Sequence, residues 1–307
     1  MFASNLPFID FMRYYRVLLL ASLVLMLVAL VMLVTVGIPL GLDFAGGVLT
    51  ELRFTSPPDI NQVREQLVSA GITDAVVQFF GTDTDVIIRF AESKESSDLA
   101  EQALVAIQQL YPDVERLRLE FVGAQIGSEL IEQGGLGVLV ALIAMLVYVA
   151  IRFQYKFAVG TVLALFHDVL VVLLIFSIFQ IDFDLTVLAA VMTVVGYSIN
   201  DSLVVSDHIR EEVKNQQRDD LRRSINQALN QVLGRTINTS LTTLLVTLTL
   251  LFFGGESVHS FALALSLGVV VGTYSSLYIL CSLLLEMKLV RKDLVVLEQD
   301  KESKVVV

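Results

Sequence analysis

The 307 residues hold one cysteine, three histidines, five prolines and no tryptophan. A single cysteine, Cys281, rules out an intramolecular disulfide and any multi-cysteine metal site. It lies in an apolar run, where a packing or lipid-facing role is expected rather than reactivity. There is no His/Glu metal spacing, no nucleophile–base pair and no phosphate-binding glycine loop, so the chain reads as a non-enzyme with no ATP motif and no bound cofactor. Charge is also scarce. Only 17% of residues are charged against about 25% in soluble domains, and 55% are apolar. The net charge of −11 comes without a concentrated basic face, which disfavours nucleic acid as a partner.

What the chain has instead is long apolar runs. Crossing the hydrocarbon core takes about 20 mainly apolar residues. Six stretches qualify: Val17–Val36, Leu136–Ile151, Phe157–Phe179, Leu185–Val205, Leu233–Phe253 and Ser260–Leu285. The second is short but extends outward through Gly134 and Gly135. The first is too long for a signal peptide and lacks a clean cleavage site, so it reads as a retained helix. Lys and Arg set the orientation. Arg13, Arg16, Arg152, Lys156, Arg210, Lys214, Arg218, Arg222, Arg223, Lys288, Arg291 and Lys292 all fall on one side, and the loops Gln180–Asp184 and Gly254–Ser257 contain neither residue type. Both termini are expected in the cytoplasm and residues 37–133 outside. That outer segment carries a net charge of −10, nearly all of the chain's excess.

The outer segment has its own periodicity. Leu49–Phe54 reads as a strand. Pro57, Pro58 and Asp59 open a helix over Ile60–Ala70 that ends at Gly71. Val76–Phe80 and Val86–Phe90 form a hairpin across Gly81–Asp85, Ser96 or Ser97 caps a helix through Leu110, and Val114–Val122 closes the set. The order is βαββαβ, the ferredoxin-like arrangement. The expected fold is therefore an α-helical membrane protein of six transmembrane helices, with a small α+β domain inserted between helices 1 and 2. The parts are residues 1–36, 37–133, 134–285 with a cytoplasmic loop 207–232, and a tail 286–307. Gly46, Gly47, Gly134 and Gly135 flank the outer domain and are equally readable as hinges or as tight turns.

Charges inside the spans carry the functional signal, because a charged residue at a helix centre costs about 2.5–3.5 kcal/mol on insertion scales. The candidates are Asp168 next to His167 in the third span, Asp201 in the fourth and Arg235 at the start of the fifth. Thr193, Gly196, Tyr197, Asn200 and Asp201 share one helical stripe; Arg235, Asn238, Thr239 and Thr242 share another. Gly268, Gly272 and Ser276 recur every four residues, a small-residue packing face. Asp201 and Arg235 fall in the same half of neighbouring antiparallel spans. Desolvation disfavours a carboxylate anion and a nearby arginine favours it, so a site with both can change protonation. A fixed ion pair is the equal alternative. Asp168 is the weaker relay candidate, and a locally satisfied buried group is the alternative for it. Asp207 and His208 read as solvated boundary residues. Leu221, Ile225, Ala228 or Leu229, and Val232 beside Arg218, Arg222 and Arg223 suggest a short amphipathic helix, lying on an anionic bilayer surface or binding a partner.

Several motifs in order also carry a resemblance: Gly41-Leu42-Asp43-Phe44-Ala45-Gly46-Gly47, His167-Asp168, Val195-Gly196-Tyr197-Ser198-Ile199-Asn200-Asp201, Arg235-Thr236, Thr239-Ser240-Leu241-Thr242-Thr243, Phe252-Phe253-Gly254-Gly255 and Gly272-Thr273-Tyr274-Ser275-Ser276. With these the chain resembles the SecF family of the bacterial SecD–SecF protein-export complex, which is similar to half of a resistance-nodulation-division transporter. The usual Phe and Arg of such families are replaced by Ser206 and His208. The resemblance implies an inner-membrane accessory subunit of the Sec translocon. Its partners would be a SecD-like subunit, the translocon channel and the translocating polypeptide, and protons would be its coupling ion. It implies Asp201 as the proton-path carboxylate and Arg235 as its partner. The rival readings are a half-size proton-driven exporter of a small molecule or lipid, and a structural scaffold subunit.

Overall fold

A computed structural model describes residues 8–73, 75–90, 96–215 and 220–290. Arg218, Arg291 and Lys292, used above for orientation, lie outside those residues, as do the side chains of Ser96 and Ser97 and most of the tail. The chain forms two compact units. The first comprises Met1–Pro39, Leu139–Ile181 and Thr186–Val307; the second comprises Leu40–Val138 and Asp182–Leu185.

Among the described residues, six helices are long and apolar enough to cross a membrane. A 3-10 turn, Phe11–Tyr14, leads into α1 (Tyr15–Thr35); the others are α5 (Ala124–Arg152), α6 (Tyr155–Phe179), α7 (Leu185–Asn215), α8 (Leu221–Phe253) and α9 (Glu256–Tyr274), the last continuing through a π-turn (Ser275–Ile279) into α10 (Leu280–Glu286). The helices overrun the apolar spans at one end because polar residues continue the turn without breakers. Thus α7 runs ten residues beyond Val205, and Asp207 and His208 lie within it rather than at its end. Gly134 and Gly135 likewise sit inside an unbroken α5, since a glycine weakens a helix by only about 1 kcal/mol and does not break it.

The stripe Ile225, Ala228, Leu229 and Val232 does not lie on a bilayer surface. These side chains are buried in the helical core with Val205, Ile209, Val213, Phe11, Met12 and Leu284. They belong to the first turns of α8, not to a separate helix. The N-terminal segment is stitched to the same turns. Asp10 accepts from Arg222 at 2.9 Å and from Asn226 at 2.8 Å, the Asn226 amide oxygen accepts the Met12 N–H, and Asn230 exchanges hydrogen bonds with both backbone groups of Ile9.

The second unit is a four-stranded antiparallel sheet with two helices on one face. Its elements are α2 (Leu42–Ala45), β1 (Gly47–Arg53), α3 (Ile60–Ser69), β2 (Val76–Phe80), β3 (Thr82–Phe90), α4 (Ser96–Leu110) and β4 (Glu115–Val122), with strand order β2-β3-β1-β4. Val48, Leu52, Val86, Ile88 and Phe90 alternate along β1 and β3 and meet Val63, Leu67, Ala103 and Ile107 from the helices. Asp59 caps α3 through the Asn61 N–H at 2.9 Å. β3 begins at Thr82, four residues before the apolar run, because Asp85 pairs with Arg53 across the sheet and Thr82 takes the Asp85 N–H. Gly46 and Gly47, with φ of 69° and 121°, form the turn into β1 that few other residues allow.

Residues 182–185 belong to this unit too. Leu40 bridges Phe183 in parallel register, the Gly41 N–H donates to Phe183 O at 2.8 Å, and Phe44 stacks on Phe183. Asp182 is ion-paired with Arg89. A Cβ at Gly41 would stand 2.8 Å from the Asp184 Cβ, and one at Gly127 would stand 2.9 Å from Phe44 O, so both approaches require glycine.

Candidate functional site: two buried carboxylates

Among the described residues, the helical unit buries two acids. Asp168 on α6 is 1% exposed and Asp201 on α7 is 7% exposed. Each has a built environment. Asp168 Oδ2 accepts from Ser198 Oγ of α7 at 2.6 Å and from Ser275 Oγ at 2.7 Å, and Oδ1 lies 3.2 Å from His167 Nδ1. Asp201 Oδ2 accepts from Ser276 Oγ at 2.5 Å. Thr236 of α8 lies beside the Asp201 carboxylate without meeting hydrogen-bond geometry.

Arg235 is placed differently from the expectation. It is near enough to act on Asp201 electrostatically, yet it makes no direct ion pair with it. The reason is helical phase. Successive residues point about 100° apart, so with Thr236 turned inward Arg235 faces outward and is exposed. Asn238, Thr239 and Thr242 are exposed on the same face of α8, as are Thr193, Gly196 and Asn200 on α7. The stripe read on α7 therefore divides: Asp201 turns into the bundle while Thr193, Gly196 and Asn200 turn out of it.

The small-residue face of α9 packs on α7. A Cβ at Gly268 would fall 2.0 Å from Val194 Cγ2, and one at Gly272 would fall 3.2 Å from Ser198 Cβ. Gly196 is not part of that contact, because it lies on the outward stripe with no atom within 4 Å of its notional Cβ. A second polar track runs from Tyr197 OH to Ser240 Oγ at 3.3 Å and on to Thr273 Oγ1 at 2.7 Å. The two serines at Asp168, Ser198 and Ser275, carried no charge or periodic signal. Among the described residues no three His, Cys, Asp or Glu side chains gather as a metal site.

Fold and site together define a polytopic membrane protein whose helices enclose acidic groups and which carries a separate α+β unit. Residues 102–290 match the family described as protein export membrane protein SecD/SecF, C-terminal, and residues 31–58 match the SecD/SecF GG motif. The chain is 46% identical over 289 residues to the protein translocase subunit SecF of Pseudomonas aeruginosa, covering 94% of each. It is 40% identical over 298 residues to that of Vibrio alginolyticus, covering 96% of this chain and 95% of the relative. The crystal structure of SecDF, a translocon-associated membrane protein from Thermus thermophilus, superposes with a TM-score of 0.84 at 35% identity. That match covers 94% of this chain but 39% of the longer SecDF chain. The chain belongs to the SecD/SecF family of protein export membrane proteins.

Proposed function

We propose that the chain is the SecF-type accessory subunit of the Sec translocon in the bacterial inner membrane. Paired with a SecD-like subunit, it couples proton flow to late steps of protein export. Both termini face the cytoplasm, and the βαββαβ unit, ferredoxin-like and inserted between the first and second spans, faces the periplasm. Asp201 carries the proton, with Arg235, Asn200 and Thr239 on the adjoining polar face.

The observation that carries this reading is the pairing of a buried acid with an unsheltered polar face. Arg235, Asn238, Thr239, Thr242 and Asn200 are exposed on helices that span a membrane. Polar groups at that depth face a bundle interior or an aqueous cavity, not lipid. A second set of helices is therefore required, and the SecDF structure, more than twice the length matched here, has room for one. Protonation of Asp201 would remove its hold on Ser276 and its field on Arg235, so the helices bearing them would repack. One charge crossing the membrane potential supplies about 2.3 kcal/mol per 100 mV.

A second reading, export of a small apolar molecule, rests on an apolar cavity of about 300 Å³ lined by Leu142, Met145, Leu165, Phe166 and Ile199. One experiment separates the readings. Precursor accumulation is measured in cells lacking the native gene and carrying wild type, Asp201→Asn or Arg235→Met at matched membrane levels. Wild type restores export, and the variants fail to restore it while still co-purifying with the SecD-like partner. Equal rescue by all three would remove the proton site and leave a scaffold; no rescue even by wild type would favour another cargo.

A further inference from the structure

Two consecutive serines in one turn hold the two buried acids. Ser275 Oγ donates to Asp168 of α6, and Ser276 Oγ donates to Asp201 of α7. In an α-helix neighbouring side chains diverge by about 100°, which lets adjacent residues address two different helices. Here the turn is also a π-turn. The Leu280 N–H reaches back five residues to Ser275 O, and the Cys281 thiol donates to Ser276 O at 3.7 Å. Single π-turns inside α-helices are uncommon and concentrate at functional sites. Each holds one residue more than an α-turn, so its resolution re-phases the helix beyond it.

The surroundings make the turn sensitive to what happens at the acids. Ser276 Oγ also contacts Thr273 O at 3.1 Å, and Ser275 Oγ contacts Gly272 O at 3.1 Å, so each hydroxyl has a fallback within its own helix. Arg235, exposed on α8, acts on Asp201 through its charge without contacting it. His167 faces Asp168 from its own helix, and its Nε2 is buried without a partner. The Tyr274 ring lies tilted against those of His167 and Tyr278, and Cys281 closes the turn. A carboxylate that gains a proton acquires a donor of its own and no longer holds a serine hydroxyl as an anion does.

We propose that the π-turn Ser275–Ile279 is the element through which a proton change at Asp201 is passed to the Asp168 site, with Ser275 and Asp168 as positioning residues. This rests on the reading of Asp201 as the proton carrier. Loss of the anion at Asp201 frees Ser276. The shared peptide bond carries that rotation to Ser275, and the clamp formed by α6, α7 and the last helix on Asp168 is rearranged.

Cys281 is the only cysteine, so its S–H stretching band reports the turn without a label. Infrared difference spectra are recorded against pH on the full chain in lipid nanodiscs. The Asp201 carboxyl band is identified by its loss in Asp201→Asn. In wild type the S–H band shifts over the same pH interval in which the Asp201 band appears. In Ser275→Ala the Asp201 band still titrates but the S–H shift is lost, and Ser275→Thr restores it. Asp168→Asn, which keeps the size of the side chain, loses the S–H shift in the same way and serves should Ser275→Ala not accumulate. An S–H band that stays fixed while Asp201 titrates overturns the coupling and leaves the proton reading standing. A shift that persists in Ser275→Ala or in Asp168→Asn overturns the positioning roles. An Asp201 band that never titrates overturns both.

Discussion

Asp43 accepts the backbone N–H of Leu185 at 3.0 Å, which ties the Gly41–Gly47 segment to residues 182–185 of the same unit. A carboxylate at a helix N-terminus satisfies one of the four orphan donors and complements the helix dipole. Asp43→Ala is expected to cost about 0.5–2 kcal/mol of local stability. Hydrogen exchange at the Leu185 amide should speed accordingly, with Asp43→Asn close to wild type. Unchanged exchange in the alanine variant would show that the cap contributes nothing.

The Arg53–Asp85 pair predicts acid sensitivity in the α+β unit. Two hydrogen bonds of 2.8 Å from the Arg53 guanidinium, with its charge, hold the Asp85 carboxyl below the usual carboxylate range. A lowered value in the folded state means that the stabilisation is complete above about pH 4, the unfolded value, and is lost as pH falls through the folded one. The gap in melting temperature between wild type and Asp85→Asn should be widest near pH 7 and should close below about pH 4. A gap independent of pH would assign the effect to packing.

Gly268 tests the helix contact. Its notional Cβ lies 2.0 Å from Val194 Cγ2, so Gly268→Ala overpacks the interface, at a cost of about 1–3 kcal/mol. The double variant with Val194→Ala should recover most of the lost thermal stability. Full additivity of the two single effects would show that they do not share a contact.

The outward polar face predicts a dissociation between stability and assembly. Asn200→Leu and Thr239→Leu should leave the melting temperature of the isolated chain within a few degrees of wild type, because neither side chain is buried in it. Each should weaken co-purification with the SecD-like partner, by about 0.6–2 kcal/mol per lost interhelical hydrogen bond. Retained assembly would place another surface at the interface.

Much of this organisation was legible in the residues. The six apolar runs gave the spans, and the turn residues Asp59, Gly71 and Gly81 with their flanking alternation gave the order of the α+β unit. Asp168 and Asp201 were visible because an acid in an apolar run is rarely accidental. Other parts were hidden. Thr82–Asp85 read as a turn because polar residues on a strand break the apolar alternation. The buried stripe from Ile225 to Val232 read as a surface helix because amphipathicity reports a face, not what covers it.

Run length, spacing and charge fixed by themselves which segments are helices and which residues share a face, since both follow from the period of a single element. Only the tertiary structure decided what each face meets. It gave Asp201 to Ser276 and turned Arg235 outward, because one residue of helical phase separates Arg235 from Thr236. It joined residues 182–185 to the distant Gly41–Gly47 segment through backbone hydrogen bonds that leave no periodic trace. It also set a π-turn where the sequence reads as uninterrupted helix, because the turn is held by acids more than 70 residues away, on two other helices.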